Sequence, residues 1–79
     1  MPDYAASFLV GTTVRVIDSE RLREFKETWK YHHPLEQDQL AFAGRAAVVE
    51  WFAYYHGGEP LYKLVGLDGV WHEACLERS

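Results

Sequence analysis

The sequence predicts an all-β fold, a small antiparallel barrel of about five strands with a short helical insert after the first. Three observations carry this. Ala46-Ala47-Val48-Val49-Glu50-Trp51-Phe52 and Leu61-Tyr62-Lys63-Leu64-Val65 are apolar and aromatic runs of strand length. Glycine pairs punctuate them, Gly57-Gly58 after the first and Gly66-Leu67-Asp68-Gly69 after the second. Between the first strand and these runs, at Asp18–Tyr31, the apolar period changes from two to that of a helix.

The first strand lies within Phe8–Ile17. Val14 and Val16 share one face, and Thr13, Arg15 and Ile17 take the other, which fits a half-buried strand. The insert follows. Leu22, Phe25 and Trp29 form a helical stripe, Asp18 or Ser19 can cap it, and Pro34 closes the segment. Arg23 and Glu27 are spaced for an i,i+4 ion pair. The alternative is a long irregular loop tucked against the barrel. His33, preceding Pro34, is expected to be extended, because proline disfavours the α region in its predecessor.

Gly44 then turns the chain into a central strand at about 45–56, apolar on both faces. A strand that bends between two sheets, or carries a β-bulge, would produce that pattern. Gly57-Gly58 supplies a hairpin, 61–65 returns, Leu67-Asp68-Gly69 turns again and Val70–His72 is a short fourth strand. Glu73–Leu76 makes a helical turn or a last short strand.

At 79 residues the chain is one domain, 1–79, with the insert at 18–33, close to the lower limit for a self-sufficient core. A hydrophobic fraction of 48% and twelve Trp, Tyr and Phe residues offset the small size and exclude a disordered chain. No apolar run approaches the ~18 residues of a membrane span, and no signal peptide is visible. A single cysteine, Cys75, fits a reducing, cytoplasmic setting. Acidic and basic residues balance in 1–33, so the net charge of −4 resides in 34–79. That distribution argues against nucleic acid, whose phosphates need cations.

Several short motifs carry a resemblance. Gly11-Thr12-Thr13-Val14-Arg15-Val16, Tyr31-His32-His33-Pro34 and Ala43-Gly44 before a strand resemble the variable chain of ferredoxin–thioredoxin reductase. Leu61-Tyr62-Lys63-Leu64 followed by Trp71 and Leu76 is similar to the C-terminal barrel of nitrile hydratase β subunits, where a Leu-Tyr strand precedes a tryptophan and a closing turn. Both belong to the SH3-like barrels of electron-transport accessory proteins. The resemblance covers most of the chain from Phe8 onward. It implies a supporting role: these relatives brace or dock a catalytic subunit and carry no redox centre or nucleophile.

The residues hold no self-sufficient catalytic set, and no cofactor is expected. His72 and Cys75 form a His-x-x-Cys step, and with His32, His33 and His56 could build a metal-binding module. The second clamp, His32-His33, has adjacent side chains that diverge on an extended strand, and the plainer reading makes Cys75 a buried apolar group and His72 a polar rim residue. Cys75 as a nucleophile would need a depressed pKa and an oriented base. Glu20/Glu24 and Glu36/Asp38 lie on solvated stretches. The aromatics are richer. Trp51, Phe52, Tyr54 and Tyr55 fall in one strand, so one or two must face outward. With Tyr31 and Trp71, ringed by His32, His33, His56 and His72, they could form an exposed aromatic patch; alternatively they pack into the core or under the insert.

The sequence thus points to a non-catalytic module that binds a protein partner through Tyr31, His32, His33, Tyr54, Tyr55, His56, Trp71 and His72, as an accessory or regulatory subunit of a larger enzyme. A homo-oligomer is also allowed. One version is an oligomeric small-barrel enzyme with a shared pore. The plasmid-borne type II dihydrofolate reductases have a similar barrel and a terminal Ala-Leu-Glu-Arg, close to Ala74-Cys75-Leu76-Glu77-Arg78, but this sequence lacks their Val-Gln-Ile-Tyr active-site segment.

Overall fold

Residues 7–54 and 60–79 are described by a computed structural model. The expected Gly57-Gly58 hairpin lies outside them. Strand β1 (Thr13–Val16) is followed by helix α1 (Ser19–Thr28) and a 3-10 helix at Gln37–Phe42. Strands β2 (Ala46–Tyr54), β3 (Pro60–Leu64) and β4 (Leu67–His72) come next, then a second 3-10 helix at Glu73–Cys75 and β5 (Leu76–Arg78). The strands are antiparallel in the order β4-β3-β2-β1-β5. β4 and β5 end that order and do not pair, so the sheet is not closed into a barrel. The 3-10 helix at Glu73–Cys75 carries the chain from β4, at one end of that order, to β5 at the other.

β2 is the shared element. Its first residues pair with β1 (Thr13 opposite Val48) and its later ones with β3 (Trp51 opposite Lys63, Ala53 opposite Leu61). The register slips between Val49 and Trp51, and this irregularity lets the strand change partners and face. Alternation on β1 is as the sequence implies: Val14 and Val16 are buried, Thr13 and Arg15 exposed. They meet Val49, Tyr62, Trp71 and Leu22 of α1 in one core.

α1 is shorter than Asp18–Tyr31. Asp18 caps it, its carboxylate accepting the Arg21 backbone N–H at 2.8 Å. It ends at Thr28, well before Pro34, because Trp29 turns extended and its indole N–H leaves the helix to reach the His32 carbonyl. Arg23 and Glu27 form no ion pair; Arg21 does so instead, bridging Asp18 and Glu77 of β5. The Arg21 backbone N–H and then its guanidinium hold the Asp18 carboxyl below its ordinary value of 3.8. That contribution to stability is present above pH 3.8 and lost as pH falls through the lower, folded-state value. Asp18→Asn keeps the cap and removes the charge. Urea melts of the two proteins are expected to differ slightly at pH 6, in favour of the wild type, and the difference to shrink as pH falls below 3.8.

Two local expectations are corrected, and one element is new. His33 is not extended: its φ is +49°, a region sparsely populated by residues other than glycine. The β3–β4 turn is Val65-Gly66, since Leu64 pairs with Leu67; Leu67-Asp68-Gly69 belong to β4. Gln37–Phe42, for which no element is expected from the sequence, is a 3-10 helix seated by buried Gln39. The Gln39 amide donates to the Val70 carbonyl (3.1 Å), and its oxygen accepts the Glu36 N–H (2.9 Å).

Candidate binding site

Two side-chain N–H groups hold the turn after α1, one from within the turn and one from β4. Trp29 Nε1 donates to the His32 carbonyl and His72 Nε2 to the His33 carbonyl, both at 2.8 Å. A carbonyl can only accept, so the second bond places a proton on Nε2 of His72. The rings pack around it. Trp29 lies 5.0 Å from His72, 5.2 Å from His32 and 5.0 Å from Tyr31, while Phe25 stacks on Trp29 at 5.7 Å. His32 is 5.6 Å from His33 and 5.7 Å from His72. The unfavourable φ at His33 is thereby held in place by its neighbours.

Strand alternation builds the adjoining groove. Trp51 and Ala53 share one face of β2, and their partners Lys63 and Leu61 share the same face of β3. With Tyr54, Tyr62, Val70 and, on the near side, His33, they line a groove of about 210 Å³. Trp51 is 46% exposed and Tyr54 43%. A second depression of about 240 Å³ continues beyond His33 and Val70, past Pro34, Glu36, Gln39 and Gly69.

The structure therefore divides the residues expected to bind a partner. Tyr31 (71% exposed), His32, His33 and His72 come together in the turn, and His33 reaches the groove where Tyr54 stands. Tyr55 and His56 lie outside the described residues. Two placements are corrected. Trp71 is fully buried, facing the core opposite Tyr62, and its indole N–H donates to Leu67 O at 3.3 Å. His72, one residue on, takes the other face, but Trp29, Phe25 and His32 cover it. Neither contributes surface to an exposed patch. Trp51, expected as one of the aromatics that could face outward, joins the site, and the residues missed are Leu61, Lys63 and Val70. Lys63 did carry a signal, being the only Lys or Arg between Arg45 and Arg78.

Elsewhere the reactive groups are occupied. Cys75 is fully buried in the core, and burial pushes its thiol up to about 12 from 9.0. A thiol held neutral in this way is a poor nucleophile. A thiol reagent at pH 8 is expected to leave Cys75 unmodified in the native protein and to label it fully in denaturant; fast native labelling would contradict its burial. The same shift stabilises the fold below pH 9.0, and that contribution is lost as pH rises towards 12. Glu73, next to His72, accepts from Ser7 N and Oγ at 3.0 Å and from the Tyr62 hydroxyl. Burial and this carboxylate raise the Tyr62 phenol well above its usual value. Among the described residues no three His, Cys, Asp or Glu side chains converge as metal ligands. No helix of the described residues is long and apolar enough to cross a membrane.

Comparison with protein families, with curated proteins and with solved structures returns no match for this chain.

Proposed function

We propose that the chain is a non-catalytic protein-binding module of the SH3-like barrel type, an accessory or regulatory subunit of a larger enzyme of the redox or hydratase class. The observation that carries the binding role is the open groove flanked by Trp51 and Tyr54, with Tyr31 exposed on the turn beyond His33. Aromatic side chains concentrate interface energy, because each covers a large area with few rotatable bonds. An exposed strip of them on so small a domain is best accounted for by a partner that covers it.

The SH3-like assignment draws on the placement of the motifs. Gly11–Val16 leads into and forms β1, Ala43-Gly44 precedes β2, and Tyr31-His32-His33-Pro34 is the turn docked on β4. Leu61-Tyr62 of β3 is followed by Trp71 and by the closing turn at Glu73–Cys75. The five antiparallel strands and the excursion between β1 and β2 suit such a barrel. The accessory role rests on the resemblance.

Tagged chain recovered from its native host, with mass spectrometry of what accompanies it and the solution mass of the purified protein, tests this reading. A stoichiometric enzyme subunit retained by the wild type and lost by a Trp51→Ala/Tyr54→Ala variant is the expected result. A homotetramer without a partner would overturn it and point to a pore shared between copies.

A further inference from the structure

We infer that the groove between β2, β3 and the 29–33 turn takes an extended peptide segment of the partner, one that presents an acidic side chain beside a large apolar one. This rests on the protein-binding reading above and specifies the chemistry of the partner.

Charge selects the occupant. The chain carries a net charge of −4, all of it in 34–79, yet among the described residues none of the side chains lining the groove is a carboxylate. Among the described lining residues the one permanent cation is Lys63, directly across from Trp51. Lys63 is half-buried, and the ion pairs of the described residues are Arg21–Asp18 and Arg21–Glu77, so none of them neutralises it. An ammonium that has surrendered part of its hydration gains most from an arriving carboxylate, because the surrounding low-dielectric surface strengthens the pair. A basic or phosphate-free neutral ligand would leave that cation uncompensated.

Shape narrows it further. At about 210 Å³ the groove falls below the roughly 300–1,000 Å³ typical of enclosed small-molecule sites. It suits one large side chain resting on Ala53 and Leu61 between Trp51 and Tyr54. The depression beyond His33 and Val70 prolongs the path, which an extended chain can follow and a compact ligand cannot. Glu36 lines that far end. It repels a second acid there and favours an amide or a base. The segment is therefore oriented, its carboxylate at Lys63 and its neutral or basic residue at Glu36.

The probe is a displayed random heptapeptide library selected on the immobilised full chain, followed by titration of the enriched synthetic peptide. Enriched sequences are expected to share an acidic residue adjacent to a large apolar one. Lys63→Glu should weaken the peptide by about tenfold or more. Reversing the peptide's acid to lysine should restore binding to that variant, and Lys63→Arg should retain binding. Lys63 is half-exposed on a strand, so circular dichroism of the variants is expected to match the wild type.

Peptides that Trp51→Ala abolishes but Lys63→Glu leaves unchanged would overturn the acidic-segment inference while keeping the groove as a protein-binding site. Failure to enrich any peptide would also overturn it, and the partner-recovery experiment would then decide the broader reading alone. Peptides bound equally by Trp51→Ala and wild type would remove both.

Discussion

Trp71→Ala is expected to cost a large fraction of the domain's stability. The indole is fully buried, lies opposite Tyr62 across β3–β4, sits 6.3 Å from the Phe42 ring and donates to Leu67 O. Truncating a buried aromatic of this size to alanine costs about 3–5 kcal/mol through lost transfer energy and the cavity left behind. A domain of 79 residues at 0.05–0.15 kcal/mol per residue has only about 4–12 kcal/mol of stability in total. The loss is therefore a large fraction of what holds the fold. Trp51→Ala, by contrast, removes a ring that is 46% exposed and is expected to cost far less. Urea denaturation followed by circular dichroism checks the pair. Equal midpoints for the two variants would contradict the placement of these tryptophans. The contrast also guards the binding assay, since Trp71 is buried and does not line the groove, so a partner lost with Trp71→Ala is lost through the weakened core.

Gly69→Ala is expected to destabilise by about 2–4 kcal/mol, from two separable causes. Gly69 has φ +105°, a conformation an L side chain adopts only under strain. An added Cβ would also stand 2.8 Å from Gln39 Nε2 and 2.9 Å from its Cδ. An exposed glutamine could swing away, but Gln39 is 4% exposed and its amide bridges Glu36 and Val70. Moving it would strand buried polar groups and loosen the 3-10 helix at Gln37–Phe42 from β4. In a Gln39→Ala background the clash disappears while the backbone strain remains. The cost of Gly69→Ala should there fall by about 1–2 kcal/mol, a coupling that a double-mutant cycle reads directly. An unchanged cost would assign the effect to φ alone.

Much of the fold was legible because it depends on local pattern. Val14 and Val16 announce a strand buried on one side, Asp18 marks where α1 begins, and the two-sided apolar run of β2 reports that it changes partners. What failed depends on contacts distant in sequence. Trp71 and His72 are neighbours on one strand, and nothing local says which faces the core when both faces are covered. The cover on the His72 side is Trp29 and Phe25, the stripe of α1, which a helical period assigns to a core without saying where that core lies. Gly69 reads as a turn residue because its demand for positive φ is the same in a turn as in β4; the reason it sits in the strand is Gln39, thirty residues earlier. The Glu36-x-x-Gln39 spacing was available as a helix-start signal and would have located the 3-10 helix.

The site was legible in part for the same reason. Tyr31, His32 and His33 are adjacent in sequence and meet as a unit, with Trp29 and His72 fixing their backbone. Lys63 and Leu61 entered only through the β2–β3 register, which the slip between Val49 and Trp51 sets. Register is a property of two strands together.

The most direct test of the groove as the binding face is amide mapping by NMR, with the partner recovered from the host added to isotope-labelled chain. The account predicts that the largest shifts fall at His33, Trp51, Ala53, Tyr54, Leu61 and Lys63, and that Leu9, Val10, Val48 and Val65, exposed apolar residues outside the groove, stay still. Shifts confined to that second set, with the groove residues silent, would contradict it.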